Sequence, residues 1–512
     1  MELWTEYSTK TVFQNAKPGR AASPKIELLT ARNAYVSAQV IMRNISGFTV
    51  EKLCFKEKPD FNARLFRQDY RRFNDNAAYP DRLALISENS DLNLTVRSFC
   101  SQGFWVDFYV PEDAKIGVSH EILCIETNKG VFEAEFVVNV FESVLPKISE
   151  SRFNHEYFFD PTNPIFYGTA ERFSEKWWAF IEETADRFKE LRNNAIIIHP
   201  LFLLGNSGSR RISETEWSFD FACWDRYVDI FLKKGAAASF TISAICQSVE
   251  GKWVDSIGYN GESVHLEAGS SEAGNFLKAI FCAIYRHISE KGMLKMYRTH
   301  IQDEPHTCGT WQWARDIIRQ AAPDLPCGEP LDMIESSYGL ENYCDIMVPR
   351  VNVYEEDPAF FRRMMKEGTE VWTYSCCFPE EGWWLNKFID LPFIRSRIME
   401  WNCVGTGAKG FLHWGFNYYS DEENSMYGVG AATRFKGDGH IVYPHDSGFG
   451  YEISTRFINT RDGNQDAELL IMKSEKDPER VKAIINKVVR AYNDFSDDGE
   501  NFNEALRELL EV

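Results

Sequence analysis

Residues 297 to 306 read Tyr-Arg-Thr-His-Ile-Gln-Asp-Glu-Pro-His. A short run of β type ends there in two adjacent carboxylates, Asp303 and Glu304. Pro305, which has no N–H to donate, stops further strand pairing. Standing alone, the dipeptide reads as a solvated acidic turn. At the C-terminal end of a strand in a (β/α)8 barrel, where side chains face the mouth, it becomes a pair able to cleave a glycosidic bond. Retaining glycosidases normally draw an acid and a nucleophile from different strands, about 5 to 5.5 Å apart. Adjacent carboxylates suit the exception in which a 2-acetamido group on the sugar attacks the anomeric carbon. One carboxylate then orients the acetamide N–H, and its neighbour serves as general acid and later as base.

The elements that must hold such a pair follow from hydrophobic patterning. Before about residue 145, short segments alternate apolar and polar positions, as at 35–42, 104–110 and 131–141. In the last, Phe132, Ala134, Phe136, Val138 and Val140 share one face and Glu133, Glu135 and Asn139 the other. Period-two segments at short spacing predict an N-terminal antiparallel β-sandwich over residues 1–145. Beyond it, strand-like runs at 154–159, 195–204, 238–245, 294–302, near 333, 346–353, 370–376 and 410–416 alternate with helical patterns at 175–192, 221–233, 273–290, 310–321, 359–366 and 393–401. That order predicts a (β/α)8 TIM-type barrel, an α/β fold, over residues 146–512. Helices at 451–474 and from Asp477-Pro478 close the chain. The acidic pair then ends strand four.

Composition narrows the class. The chain has 512 residues, more than one core usually organises, and its aromatic content of 14% suits sugar stacking as well as packing. A formal charge of -20 argues against a nucleic-acid partner, because phosphate binding needs clustered Lys and Arg. No run of about 18 apolar residues occurs, so no membrane span is expected. The N-terminus lacks the basic and apolar regions of a secretory signal, and the 12 Cys show no paired metal spacing. Both suit a cytoplasmic protein with reduced thiols; a secreted form that has lost its leader is compatible too. Adjacent Cys376 and Cys377 should point to opposite faces of a strand and read as packing residues. No His-Glu-x-x-His, Cys-x-x-Cys or aspartate-rich calcium loop is present, so neither metal nor cofactor is expected.

Several motifs together resemble glycoside hydrolase family 123, whose catalytic domain was formerly a domain of unknown function. They are the Asp303-Glu-Pro strand end, Trp217-Ser-Phe-Asp-Phe-Ala-Cys-Trp-Asp-Arg-Tyr-Val-Asp, Val371-Trp-Thr-Tyr-Ser-Cys-Cys, Gly410-Phe-Leu-His-Trp-Gly-Phe-Asn-Tyr-Tyr and Gly437-Asp-Gly-His-Ile-Val-Tyr-Pro. The helix around 456–470 and the stretch Ala31-Arg-Asn-Ala-Tyr-Val-Ser-Ala-Gln-Val fit as well. The resemblance implies a substrate-assisted exo-glycosidase removing β-linked N-acetylgalactosamine from glycans or glycolipids. Asp303 would polarise the acetamide and Glu304 would be the acid/base. Tyr374 would donate to the acetamide oxygen, and Trp414 would form a platform under the sugar ring. From the residues themselves, His199 before Pro200 and Asn417 past the eighth strand are candidates for sugar hydroxyls, and His300 for an interior group. A β-N-acetylglucosaminidase, another glycosidase on the same scaffold, and a non-catalytic carbohydrate-binding protein remain open. The galacto or gluco preference and the oligomeric state are not legible in the sequence.

Overall fold

A computed structural model of the chain describes residues 1–72, 77–87, 90–246, 253–420 and 435–512. The fold is mixed α/β. Among the described residues, no helix is long and apolar enough to cross a membrane.

In the N-terminal part the alternating segments form two sheets. One has seven strands in the order Glu2–Tyr7, Ala34–Arg43, Ser101–Val110, Asn62–Arg72, Ala78–Ile86, Tyr451–Ser454 and Val442–Pro444. The other has five, Lys25–Arg32, Gly130–Val144, Gly117–Thr127, Phe48–Phe55 and Leu94–Val96. Alternate side chains of the two sheets share a core that includes Val40, Val106, Phe108, Leu123, Phe136 and Val138. Pairing is antiparallel except between Lys25–Arg32 and Gly130–Val144, which run parallel, so the expectation of a wholly antiparallel arrangement is corrected there.

The later strands pair in parallel. We label them β1 (Asn154–Tyr157), β2 (Ala195–Ile198), β3 (Ser239–Ile242), β4 (Tyr297–Thr299), β5 (Gly328–Leu331), β6 (Ile346–Pro349), β7 (Thr373–Ser375) and β8 (Gly410–His413). Ladders join β8 to β1, β2 to β3, β3 to β4, β5 to β6 and β7 to β8. Single bridges Thr299–Cys327 and Arg350–Tyr374 join β4 to β5 and β6 to β7. Between β1 and β2, the side-chain oxygens of Asn193 and Asn194 accept the N–H groups of Tyr157 and His155 at 2.6 and 3.0 Å. Parity along these strands sorts the side chains. Ala195, Ile346, Val348, Trp372, Tyr374 and Leu412 form one small cluster together with Phe158. Ile196, Ile198, Phe240 and Ile242 instead pack toward the helices.

The strands are shorter than the apolar runs suggested. The run at 195–204 breaks after Ile198, because Pro200 opens a helix, Pro200–Asn206, at the position where its missing N–H costs nothing. The fifth strand lies at Gly328–Leu331 rather than near 333.

The run expected as a helix over 451–474 begins with strand Tyr451–Ser454, which pairs with Ala78–Ile86, and turns helical only at Thr455. Ser454 caps that turn through Phe457 N–H. Although rich in polar residues, the Thr455–Ser474 helix is buried on nearly every side. It packs on strands Ala34–Arg43 and Ala78–Ile86, on the Glu175–Leu191 helix and on the Phe393–Thr406 helix. Its charges find partners across those contacts. Arg456 grips Asp81 with two bonds of 3.0 and 2.9 Å, and Arg461 grips Asp107 with two of 3.1 and 2.9 Å. Asp107 also binds Arg64, which reaches Glu190. At Gly463 an added Cβ would meet Glu400 Oε2 at 2.5 Å and Arg397 O at 2.7 Å, so only glycine lets the two helices approach this closely.

Candidate functional site

The acidic pair follows β4 and is held from both neighbours. On one side Cys246 N–H donates to Ile301 O at 3.2 Å. On the other, the Glu329 carboxyl on β5, fully buried, accepts the N–H groups of Ile301 and Gln302, the latter at 3.2 Å. His300 Nδ1–H donates to Gly328 O at 2.7 Å. The chain then turns sharply, and Glu304 adopts φ 44°, in the left-handed region that a side chain with a Cβ seldom occupies. Ser336 holds the outgoing Pro305 carbonyl at 2.7 Å. The result is an exposed Asp303 beside a half-buried Glu304.

Tyr374 on β7 reaches across to this pair. It is buried, and its hydroxyl donates to Glu304 Oε1 at 2.5 Å. Both carboxyls are shifted upward. The protein around the recess pushes Asp303 up to about 7, and the charges of Glu304 and Asp332 add to that. Burial also raises Glu304, with Asp332 adding, while the Tyr374 bond, Arg350 and His306 pull it down. A charge on Glu304 makes ionisation of its neighbour Asp303 harder. Asp332 and Arg350 stand just past the ends of β5 and β6. His306 Nε2 lies 3.0 Å from Asp332 Oδ2, and Arg350 donates to the Asp332 carbonyl at 3.1 Å. The cluster places a hydroxyl donor, two carboxyls of raised pKa and a cation around one recess at the strand ends, which is equipment for acid and base chemistry on a bound group.

The catalytic domain described as glycoside hydrolase 123 matches residues 164–473, more than half of the chain. The chain belongs to glycoside hydrolase family 123. Of the solved structures, a family 123 glycoside hydrolase from Clostridium perfringens is similar over 100% of this chain and 97% of its own, with TM-score 0.77 at 14% identity. That likeness is one of fold. A xylanase from Cellvibrio japonicus reaches TM-score 0.37 at 12% identity over 85% of this chain and 91% of its own. No curated protein matches.

The remaining expected residues of this family 123 enzyme fall in different places. Trp414 follows β8 and is half-buried. Its Nε1–H donates to Asp438 Oδ2 at 2.8 Å, and its ring lies 5.1 Å from that of Tyr418. His199 ends β2 half-buried; its Nε2 must carry the proton, because it donates to Phe159 O at 3.0 Å. Burial lowers its pKa, so the ring is neutral and Nδ1 is an acceptor. Asn417 is not a sugar ligand: it is fully buried, and its side chain takes Asp160 N–H at 2.8 Å and donates to Asp160 O at 2.9 Å, clamping the segment after β1. His300 is buried, edge-on to Phe158. Cys376 packs against the small cluster around Tyr374 as expected, but the two cysteines do not point to opposite faces, since their sulfurs lie 4.0 Å apart.

Sequence reasoning missed Glu329, Asp332, Arg350 and Asp438. Asp332 and Arg350 could have been found as the polar residues next after two strands, had those strands been bounded correctly. Asp438 sits in the Gly437-Asp-Gly-His motif, though the motif alone does not tell its role, and buried Glu329 carries no sequence signal.

Proposed function

We propose that the enzyme is a retaining, substrate-assisted β-N-acetylgalactosaminidase, with residues 146–512 forming a (β/α)8 catalytic barrel behind a β-sandwich of residues 1–145. The circular order of parallel pairings supports the barrel, and the shared core of the two N-terminal sheets supports the sandwich. The Clostridium perfringens enzyme is described as hydrolysing glycolipid glycans, which suggests a comparable glycan here.

The observation that carries the mechanism is the Tyr374 bond to Glu304 beside a raised Asp303. In the free enzyme, Tyr374 favours ionised Glu304, so the shared proton rests on Asp303. A bound acetamide reverses this. Its N–H donates to Asp303 and favours the ionised form there, while Tyr374 turns to the acetamide oxygen and releases Glu304. The proton passes to Glu304, which delivers it to the leaving oxygen as the acetamide oxygen bonds to the anomeric carbon. Glu304 then takes a proton from the water that opens the cyclic intermediate, and two inversions give net retention. Trp414 covers the apolar face of the sugar, and His199 accepts from a hydroxyl.

A thiazoline mimic of the cyclised sugar should therefore inhibit far more strongly than the substrate binds, since it resembles the intermediate. A panel of chromogenic β-hexosaminides and hexosides tests the reading directly. The 2-acetamido galacto sugar should be cleaved fastest. Equal rates on 2-hydroxy sugars without thiazoline inhibition would remove the mechanism, and faster cleavage of the gluco epimer would reassign the substrate. Replacing Trp414 with Ala should weaken sugar binding by about 1 to 3 kcal/mol, read as a raised Kd for the product sugar.

The pH profile follows from the shifts. Activity needs one proton on the pair, so kcat/KM should rise as the first proton leaves and fall as the second leaves. Because both carboxyls are raised, the two limbs should bracket a pH nearer neutrality than ordinary carboxylates allow. A plateau extending from pH 4 to 9 would contradict the shared proton.

A further inference from the structure

Strand β7 ends at Ser375, and the alternation that separates neighbouring side chains ends with it. Beyond that point the sulfurs of Cys376 and Cys377 come within 4.0 Å, both on half-buried residues with surface open to water. The segment is tied down at both residues. Asn386 Nδ2 donates to Cys376 O at 2.9 Å, Cys377 N–H bonds the Asp438 carboxyl, and Phe378 N–H points at Cys376 Sγ at 3.5 Å. Each tie leads to the site. Tyr374, two residues upstream, holds Glu304. Asp438 also takes Trp414 Nε1–H, and Ser375 pairs with His413, so Cys376 and Trp414 are the next residues along β7 and β8.

We propose that Cys376 and Cys377 form a vicinal dithiol site for low-molecular-weight disulfides, whose oxidation to an intrachain disulfide slows glycoside cleavage at the neighbouring acidic pair. Cys377 attacks first. Its thiol is held below the usual range by its hydrogen bond with Cys376, with Arg350 adding to this, against burial and the charges of Asp438 and Glu304. Its thiolate bonds to one sulfur of the reagent and expels one thiolate; Cys376 then displaces the mixed disulfide and expels a second. Two thiols are oxidised and one disulfide is reduced to two thiols. Closing 4.0 Å to the roughly 2.05 Å of an S–S bond must rotate the 376–377 backbone, which displaces Tyr374 on one side and the Asp438 support of Trp414 on the other.

The effect on turnover rests on the site reading above; the thiol chemistry does not. The full chain is incubated with glutathione disulfide, and peptide mass mapping is run beside initial rates on an aryl 2-acetamido glycoside. The expected result is a 376–377 link free of glutathione, a fall in kcat of about tenfold or more, and recovery with dithiothreitol. Cys377→Ser should keep its rate under the same treatment, and Cys376→Ala should stop at a glutathione adduct on Cys377 with no 376–377 link. Absence of the link, a link with unchanged rate, or a Cys377→Ser variant as sensitive as the parent overturns the proposal. Failure of the site reading looks different: the reduced protein would cleave no aryl 2-acetamido hexoside at all.

Discussion

Replacing Glu304 with Gln should lower kcat/KM by about 10²- to 10⁴-fold on glycosides with poor leaving groups, and far less on activated aryl glycosides, because an acidic leaving group needs little protonation. Asp303→Asn should impair both kinds, since forming the cyclic intermediate depends on the N–H bond that Asp303 accepts. The contrast is sharpened by Tyr374, which in the free enzyme bonds Glu304. Glutamine keeps an acceptor for that hydroxyl, so Glu304→Gln should fold and bind sugar, with the loss confined to the chemical step. On activated substrates its pH profile should also lose the alkaline limb, the limb set by loss of the pair's last proton, which the glutamine amide no longer needs to receive. Losses in the two variants that match and ignore the leaving group would undo the division of roles.

The second large effect lies far from the recess. Asp107→Ala should destabilise the protein by about 3 to 5 kcal/mol, because it strands Arg461 without its main partner in a fully buried place. Burial alone would raise the Asp107 carboxyl, yet Arg461 and Arg64 hold it at about 2, so the ion pair outweighs desolvation. The sign for pH follows. A carboxyl whose folded pKa is depressed contributes stability above its unfolded value and loses it as pH falls toward the folded one. Urea midpoints of the parent should therefore fall between about pH 4 and pH 2, and those of Asp107→Ala should fall less over that window. A chain starting near Lys147 loses Asp81 and Asp107 together, taking from Arg456 its carboxylate and from Arg461 its bidentate partner, and should be insoluble. A soluble truncated chain with full turnover would refute this account.

How much could be read in advance depended on the range of the interactions. Segments such as Gly130–Val144 were legible because one buried face imposes period two, whatever the partner strand. The acidic pair was legible because Pro305 marks a strand end by local chemistry alone. The fifth strand was not, because Gly328-Glu-Pro-Leu lacks the β-branched run that signals a strand, and its pairing with β6 supplies the order instead. The direction of the two cysteines was misjudged because alternation holds only within a strand, and both lie past the end of β7. Asn417 was placed past the eighth strand, as it is, but its partner there, the backbone of Asp160, is remote in the chain. The polar Thr455–Ser474 helix gave no hint of burial, since what makes it tolerable there are Asp81 and Asp107, hundreds of residues earlier.

That distance also sets an order of assembly. As the chain leaves the ribosome, strand Ala78–Ile86 emerges hundreds of residues before Tyr451–Ser454, the strand that covers its edge. Until then the N-terminal sheet carries an open edge, with Asp81 lacking its arginine and Asp107 held by Arg64 but not yet by Arg461. Such a molecule cannot finish its first half while it is being synthesised. It must wait, exposed, for that strand and for Arg456 and Arg461, and its folding should be slow and dependent on protection from aggregation in a way that no short-range feature of the sequence announces.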